Sequence, residues 1–171
     1  MDELAFNQHV AAAVGGDLSS LGKALKGLFR GVTSIIPAGA TLTVTADKHA
    51  GRVIILDTAS GSVCTLPAAS GSGVKFKFIV SVTVTSAAHK VAVANSSDVM
   101  YGWAFGFDED VVTPNGWLAG ASDDTISMDG TTQGGKIGDW VEVTDIADNV
   151  WSVVVSINQS GTEATPFSAA V

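Results

Sequence analysis

The side chains able to do chemistry are few and far apart. His9, His49 and His89 are widely separated, and none has a Cys or His at ligand spacing, so no metal site is expected. The single cysteine, Cys64 in "SVCTLP", reads as a small buried strand residue and excludes an internal disulfide. "GGKIGD" lacks the first glycine's spacing and the hydroxyl of a phosphate-binding loop, and no serine sits in G-x-S-x-G. "DDTISMDG" has the wrong spacing for a calcium loop. The paired acids Asp108-Glu109-Asp110 and Asp123-Asp124 would suit a glycosidase only if folding set two of them across a sugar, and a solvated acidic loop is the expectation. No catalytic residue, metal ligand or cofactor is therefore expected, and the chain reads as a non-enzyme.

Residues that could bind are easier to find. Trp103, Phe105, Phe107 and Trp117, beside Asp108 and Asn115, could stack on a sugar ring and bond its hydroxyls, or complete a core or subunit interface. The shortage of other large side chains favours the second. Trp140 and Trp151 read as a cross-strand aromatic pair on a terminal hairpin. Near the N-terminus, "DLSSLGKALKGLFRGV" offers Asp17 as a helix cap and Leu18, Leu21, Leu25, Leu28, Phe29 and Val32 at helical spacing, with Lys23, Lys26 and Arg30 off that stripe. Such a basic amphipathic helix can lie on anionic lipid or dock on another protein. Docking is the expectation, and no membrane partner is.

The elements that must position these residues follow from composition. Of 171 residues 46% are hydrophobic and only 15% charged, with Gly, Ala, Ser, Thr and Val abundant. The average soluble domain is roughly 25% charged. The net charge of -8 argues against nucleic acid, whose phosphates require a basic face. It divides unevenly, with three acids and three bases in residues 1–30 but fourteen acids and six bases in 31–171. No run approaches the ~20 apolar residues of a membrane span, and "MDELAFNQHV" lacks the features of a signal peptide, so synthesis in a cytosol is expected.

The pattern changes near Pro37. A helical arm is expected over residues 1–36, and an all-β domain over 37–171, an antiparallel sandwich or barrel-like fold. Strands are expected at 41–46, 52–57, 62–66, 75–84, 90–94, 125–129, 139–145 and 150–157. Residues 98–124 fit only a long loop or an irregular pair of strands.

Two stretches carry a resemblance. "TLPAASGSGVKFKFIV" resembles a Thr-Leu-Pro, glycine turn, Phe-x-Phe element of tailed-bacteriophage structural proteins, through Thr65, Leu66, Pro67, Gly73, Phe76 and Phe78. "GDWVEVTDIADNVWSVVV" resembles their closing hairpin, through Gly138, Asp139, Trp140 and Trp151. The resemblance implies a capsid decoration (cement) protein on the outer surface of the virion, binding the major capsid protein and associating with itself, commonly as a trimer. Head fibres and tail or baseplate appendages use similar modules. In that alternative the chain would be a receptor- or glycan-binding module.

Overall fold

A computed structural model of the protein describes residues 35–171. Its strands are β1 (Ile35–Pro37), β2 (Thr41–Thr43), β3 (Val53–Leu56), β4 (Val63–Thr65), β5 (Lys75–Val80), β6 (His89–Ala92), β7 (Val99–Asp108), β8 (Thr113–Leu118), β9 (Thr125–Met128), β10 (Trp140–Ala147), β11 (Val150–Gln159) and β12 (Phe167–Ser168). One turn of helix, α1 (Ala46–His49), lies between β2 and β3. The expected attachment residues Leu18, Leu21, Lys23, Leu25, Lys26, Leu28, Phe29 and Arg30 fall outside the described residues. Ile35 and Ile36, on the arm side of the break expected at Pro37, pair with β3.

The domain is mostly β, in two sheets. One runs β1-β3-β5-β10-β11-β7-β8 and the other β12-β9-β6-β4-β2. Both are mixed, which corrects the antiparallel expectation. β1 with β3, β3 with β5, β2 with β4, β4 with β6, and β7 with β11 are all parallel pairs. The reason lies in the turns. Runs separated by short turns were expected to fold back as hairpins within one sheet, but from β1 to β7 the chain crosses to the other sheet after every strand. Each return to a sheet then repeats the direction of the previous visit. Among the described residues, only β7–β8 and β10–β11 join consecutive strands as hairpins in one sheet.

The inner faces of the two sheets share one core. Ile54, Phe76, Phe78, Val143, Trp151 and Val155 come from the larger sheet, and Cys64, Val91, Ile126, Met128 and Phe167 from the smaller. Alternation supplies them: β5 buries Phe76, Phe78 and Val80 while Lys75, Lys77 and Ile79 point outward. This strand stops at Val80, short of the expected residue 84, because the Ser81 and Val82 N–H groups both turn to the Leu56 carbonyl. The stretch expected as a strand through residue 46 likewise ends at Thr43 and turns into α1. Trp140 and Trp151 do not pair. Trp151 is buried with its ring centroid 6.0 Å from that of Phe76, whereas Trp140 lies on the outer face with the Lys77 ammonium 4.8 Å from its ring.

The loops are held by aspartates. The Asp145 carboxylate accepts N–H bonds from Ser70 at 3.0 Å, Gly71 at 2.7 Å and Ser72 at 3.0 Å, and the hydroxyls of Ser70 and Ser72 add two more. Gly71 takes φ +73°, which lets three successive N–H groups converge on one carboxylate. Asp139 accepts from the N–H groups of Gly135, Lys136 and Asn158, Asp98 from Ala69, and Asp124 from Ala170 and Val171. Asp108 and Asp124 are buried, not part of a solvated loop. Residues 65–80 and 138–155 are thus joined twice, by Asp145 to the Ser70–Ser72 turn and by Phe76 to Trp151.

Burial alone would raise the pKa of Asp145, but the donors from Ser72, Gly71 and Ser70 outweigh it and hold the group at about 2, below the ordinary 3.8. A lowered folded pKa gives stability that is present above the ordinary value and lost as pH falls toward 2. Asp145→Asn should cost ~2 kcal/mol or more at neutral pH, the scale of hydrogen bonds to a charged acceptor. Urea unfolding should show that gap narrowing as pH drops from 3.8 toward about 2. A constant gap across that range would show that the charge contributes nothing.

Candidate functional site: an aromatic sheet face

The segment "VMYGWAFGFD" alternates large and small residues, and this decides where its rings go. On β7, Met100, Ala104, Gly106 and Asp108 face inward or lie against neighbouring backbone, while Tyr101, Trp103, Phe105 and Phe107 face out. The small residues are required by β11. A Cβ at Gly102, whose φ is +152°, would run into the Val153 carbonyl, and one at Gly106 would meet that of Ile157. With bulk barred from one face, every large side chain of the strand's second half stands on the other.

Register extends this row across neighbouring strands. Trp103 lies opposite Leu118, Phe105 opposite Gly116, and Phe107 opposite Pro114 on β8. On β11 the matching residues are Ser152 beside Tyr101, Val154 beside Trp103, Ser156 beside Phe105 and Asn158 beside Phe107. Trp103, Phe105 and Phe107 remain 48%, 40% and 42% exposed, and Leu118 80%. Phe105 and Phe107 meet edge to face, with centroids 5.3 Å apart and planes at 84°. At the hairpin tip Val111 and Val112 are exposed as well, and Val112 adopts φ +54°, a strained conformation for a β-branched residue.

Of the four aromatic residues singled out in the sequence, three come together and one does not. Trp117 pairs with Ala104, so it faces the core and is half-buried against it. Trp117 therefore cannot share a ligand with Trp103, because the sheet lies between them. Tyr101 and Leu118 complete the face and were missed. The period-two alternation of Tyr101, Trp103, Phe105 and Phe107 with glycine and alanine was the available signal, obscured by reading residues 98–124 as irregular. Asn115 also leaves the face, since it pairs with Gly106.

His49, His89 and Cys64 are used within the fold. His89 accepts the Ser62 N–H at Nδ1, 3.0 Å away, and donates Nε2–H to the Val82 carbonyl at 2.9 Å, which fixes the neutral tautomer. Burial pulls its pKa below 6.5 despite the pull of the Val82 carbonyl. His49 takes the Thr45 N–H at the start of α1. Burial pushes the Cys64 thiol up to about 12, far from a nucleophilic thiolate. Among the described residues, no group of three or more His, Cys, Asp or Glu could hold a metal ion, and no helix is long and apolar enough to cross a membrane. Comparison with protein-family models, with curated proteins and with solved structures finds no match to this chain.

The two sides of the sheet should respond differently to truncation. Trp103→Ala and Phe105→Ala should each change stability by ~1 kcal/mol or less, the span of strand propensity at open positions. Trp151→Ala should cost about 3–5 kcal/mol, as removal of a fully buried aromatic does. Urea unfolding checks this, and a large loss at Trp103 would mean that its ring is part of the core.

Proposed function

We propose that the protein works by association and not by chemistry: a noncatalytic virion structural protein of the tailed-bacteriophage kind, decorating and stabilising the assembled head. The observation that carries this reading is the exposed aromatic face of β7 and β8. The largest contiguous apolar patch of a protein surface is often its functional one, where it mates with another molecule. The likeness of residues 65–78 and 138–151 to phage elements supplies the setting, and their joining through Asp145 and Trp151 supports treating them as one module. In this reading residues 1–36 attach to the major capsid protein, one end of the β domain touches neighbouring capsid subunits, and the copies associate with one another.

The receptor- or glycan-binding reading has one observation in its favour. Ser152 and Ser156 lie directly beside the rings, and their hydroxyls could bond those of a sugar, whereas the Asn158 amide is already given to Asp139. Against it, the edge-to-face arrangement of Phe105 and Phe107 offers no common plane for stacking.

Negative-stain imaging of virions labelled against this chain should place it on the head. Particles lacking the protein should assemble but lose DNA more readily on heating, and added protein should restore them, since a ligand of the assembled form alone stabilises it by mass action. Protein lacking residues 1–33, which keeps β1 whole, should fold and fail to attach. Depleted particles that are equally robust but no longer adsorb to cells would sink the decoration reading in favour of the glycan one.

A further inference from the structure

We propose that the aromatic face and the free edge of β8 form one homotypic interface, occupied by a second copy of this chain. This rests on reading the face as a protein-association surface and names its partner.

Charge is the first argument. The chain carries -8 overall, so two copies repel wherever acids meet. On three adjacent strands the outward side chains include no ionisable acid or base at neutral pH: Pro114, Gly116 and Leu118 on β8, the four rings on β7, and Ser152, Val154, Ser156 and Asn158 on β11. Across the sheet, charge resumes on β10 and β5, where Lys75 lies 3.8 Å from Glu142 and Lys77 covers Trp140. At the hairpin tip, Glu109 is paired with Lys136 and Asp110 accepts the Gly161 N–H. A neutral face on an acidic domain is where a like-charged copy can approach.

The edge is the second argument. Ala119 donates to the Gly102 carbonyl at 3.0 Å, so this opposed pair is hydrogen-bonded. The alternation of an antiparallel ladder then makes Ala104–Trp117 and Gly106–Asn115 hydrogen-bonded pairs and turns the backbone of Pro114, Gly116 and Leu118 away from β7. Pro114 fits, having no N–H to offer. Gly116 and Leu118 present outward N–H and C=O groups with no hydrogen bond to another loop among the described residues. A six-residue edge without charge is a template for pairing. The other sheet edges are shorter, with three residues in β1 and β2 and two in β12. An antiparallel edge is complementary to itself, and joining two would place the ring rows side by side.

Area is the third. Four rings a little under half exposed offer roughly 300–400 Å², taking ~200 Å² for each whole side chain. Leu118, opposite Trp103 and 80% exposed on the edge strand itself, is the part of this apolar surface nearest the seam.

The test uses the full chain in sedimentation velocity across the micromolar range, with Trp103→Ala, Leu118→Lys and Gly116→Pro. The wild type should associate reversibly, and Trp103→Ala should weaken it by roughly thirtyfold or more, as loss of an aromatic hot spot does. Gly116→Pro keeps every ring and removes one outward N–H, so it should also weaken association. Circular dichroism confirms that each variant is folded. Should one fail to fold, hydrogen exchange on the wild type replaces it: the Gly116 and Leu118 amides should gain protection as concentration rises. A wild type that stays monomeric, variants that associate with unchanged strength, or a monomer whose Trp103 fluorescence is quenched by an immobilised glycan would overturn the proposal. A monomeric chain that still decorates heads would sink this inference alone and leave the decoration reading standing.

Discussion

Every backbone N–H drawn in from solvent needs an acceptor, and in this domain carboxylates meet that need where sheet partners do not. The chain crosses repeatedly between two sheets, so many of its turns cannot close as simple hairpins and leave several N–H groups pointing one way. Asp145 collects three of them from one turn, Asp139 three from two segments, and Asp124 holds the end of the chain. Asp129 does the same for Thr131 and Gln133. The acidity of residues 31–171 is in good part an internal framework. It also explains how a domain with few large side chains holds long loops: charge-assisted bonds fix geometry that packing alone would leave loose.

This framework is not uniform in sign. The donors to Asp145 win over its burial, whereas burial wins at Asp139, whose pKa is raised despite bonds from Lys136, Gly135 and Asn158. A raised carboxylate favours its protonated form in the fold, so the contribution of Asp139 is largest in acid and falls as pH rises through its folded value. Asp139, just before β10, and Asp145, within it, therefore oppose one another in acid. His89 adds a third dependence, stabilising above pH 6.5 and losing that contribution as pH falls below it, because its folded state needs the neutral ring.

Strand positions were legible because alternation is local. Phe76 and Phe78 against Lys75 and Lys77 state which face of β5 is buried without knowledge of its neighbours. Sheet membership is not local. Nothing in "TLTVT" or "SVCTL" says that these runs pair with each other in parallel and not with the run between them, since that depends on which way each turn leaves the strand. The aromatic face was half legible for a related reason. Trp103 and Trp117 are close in sequence and in space, yet one residue of register puts them on opposite sides of a sheet. The aspartate framework was hidden more fully, because an Asp in a turn looks the same whether its carboxylate meets water or a distant loop.

The position of the β10–β11 hairpin has a consequence for how the protein is made. This hairpin follows β1 to β9 along the chain, yet it sits in the middle of the larger sheet, between β5 and β7. A chain emerging from the ribosome can coil β1 to β6 while β5 and β7 each keep an open side, and only arrival of the C-terminal hairpin zips them together. Folding is thus completed by insertion at the centre and not by growth at an edge, a non-local and hence slow step. Until then the gap fits the hairpin of any neighbouring chain as well as its own, so crowded synthesis of many copies invites exchange of β10–β11 between them.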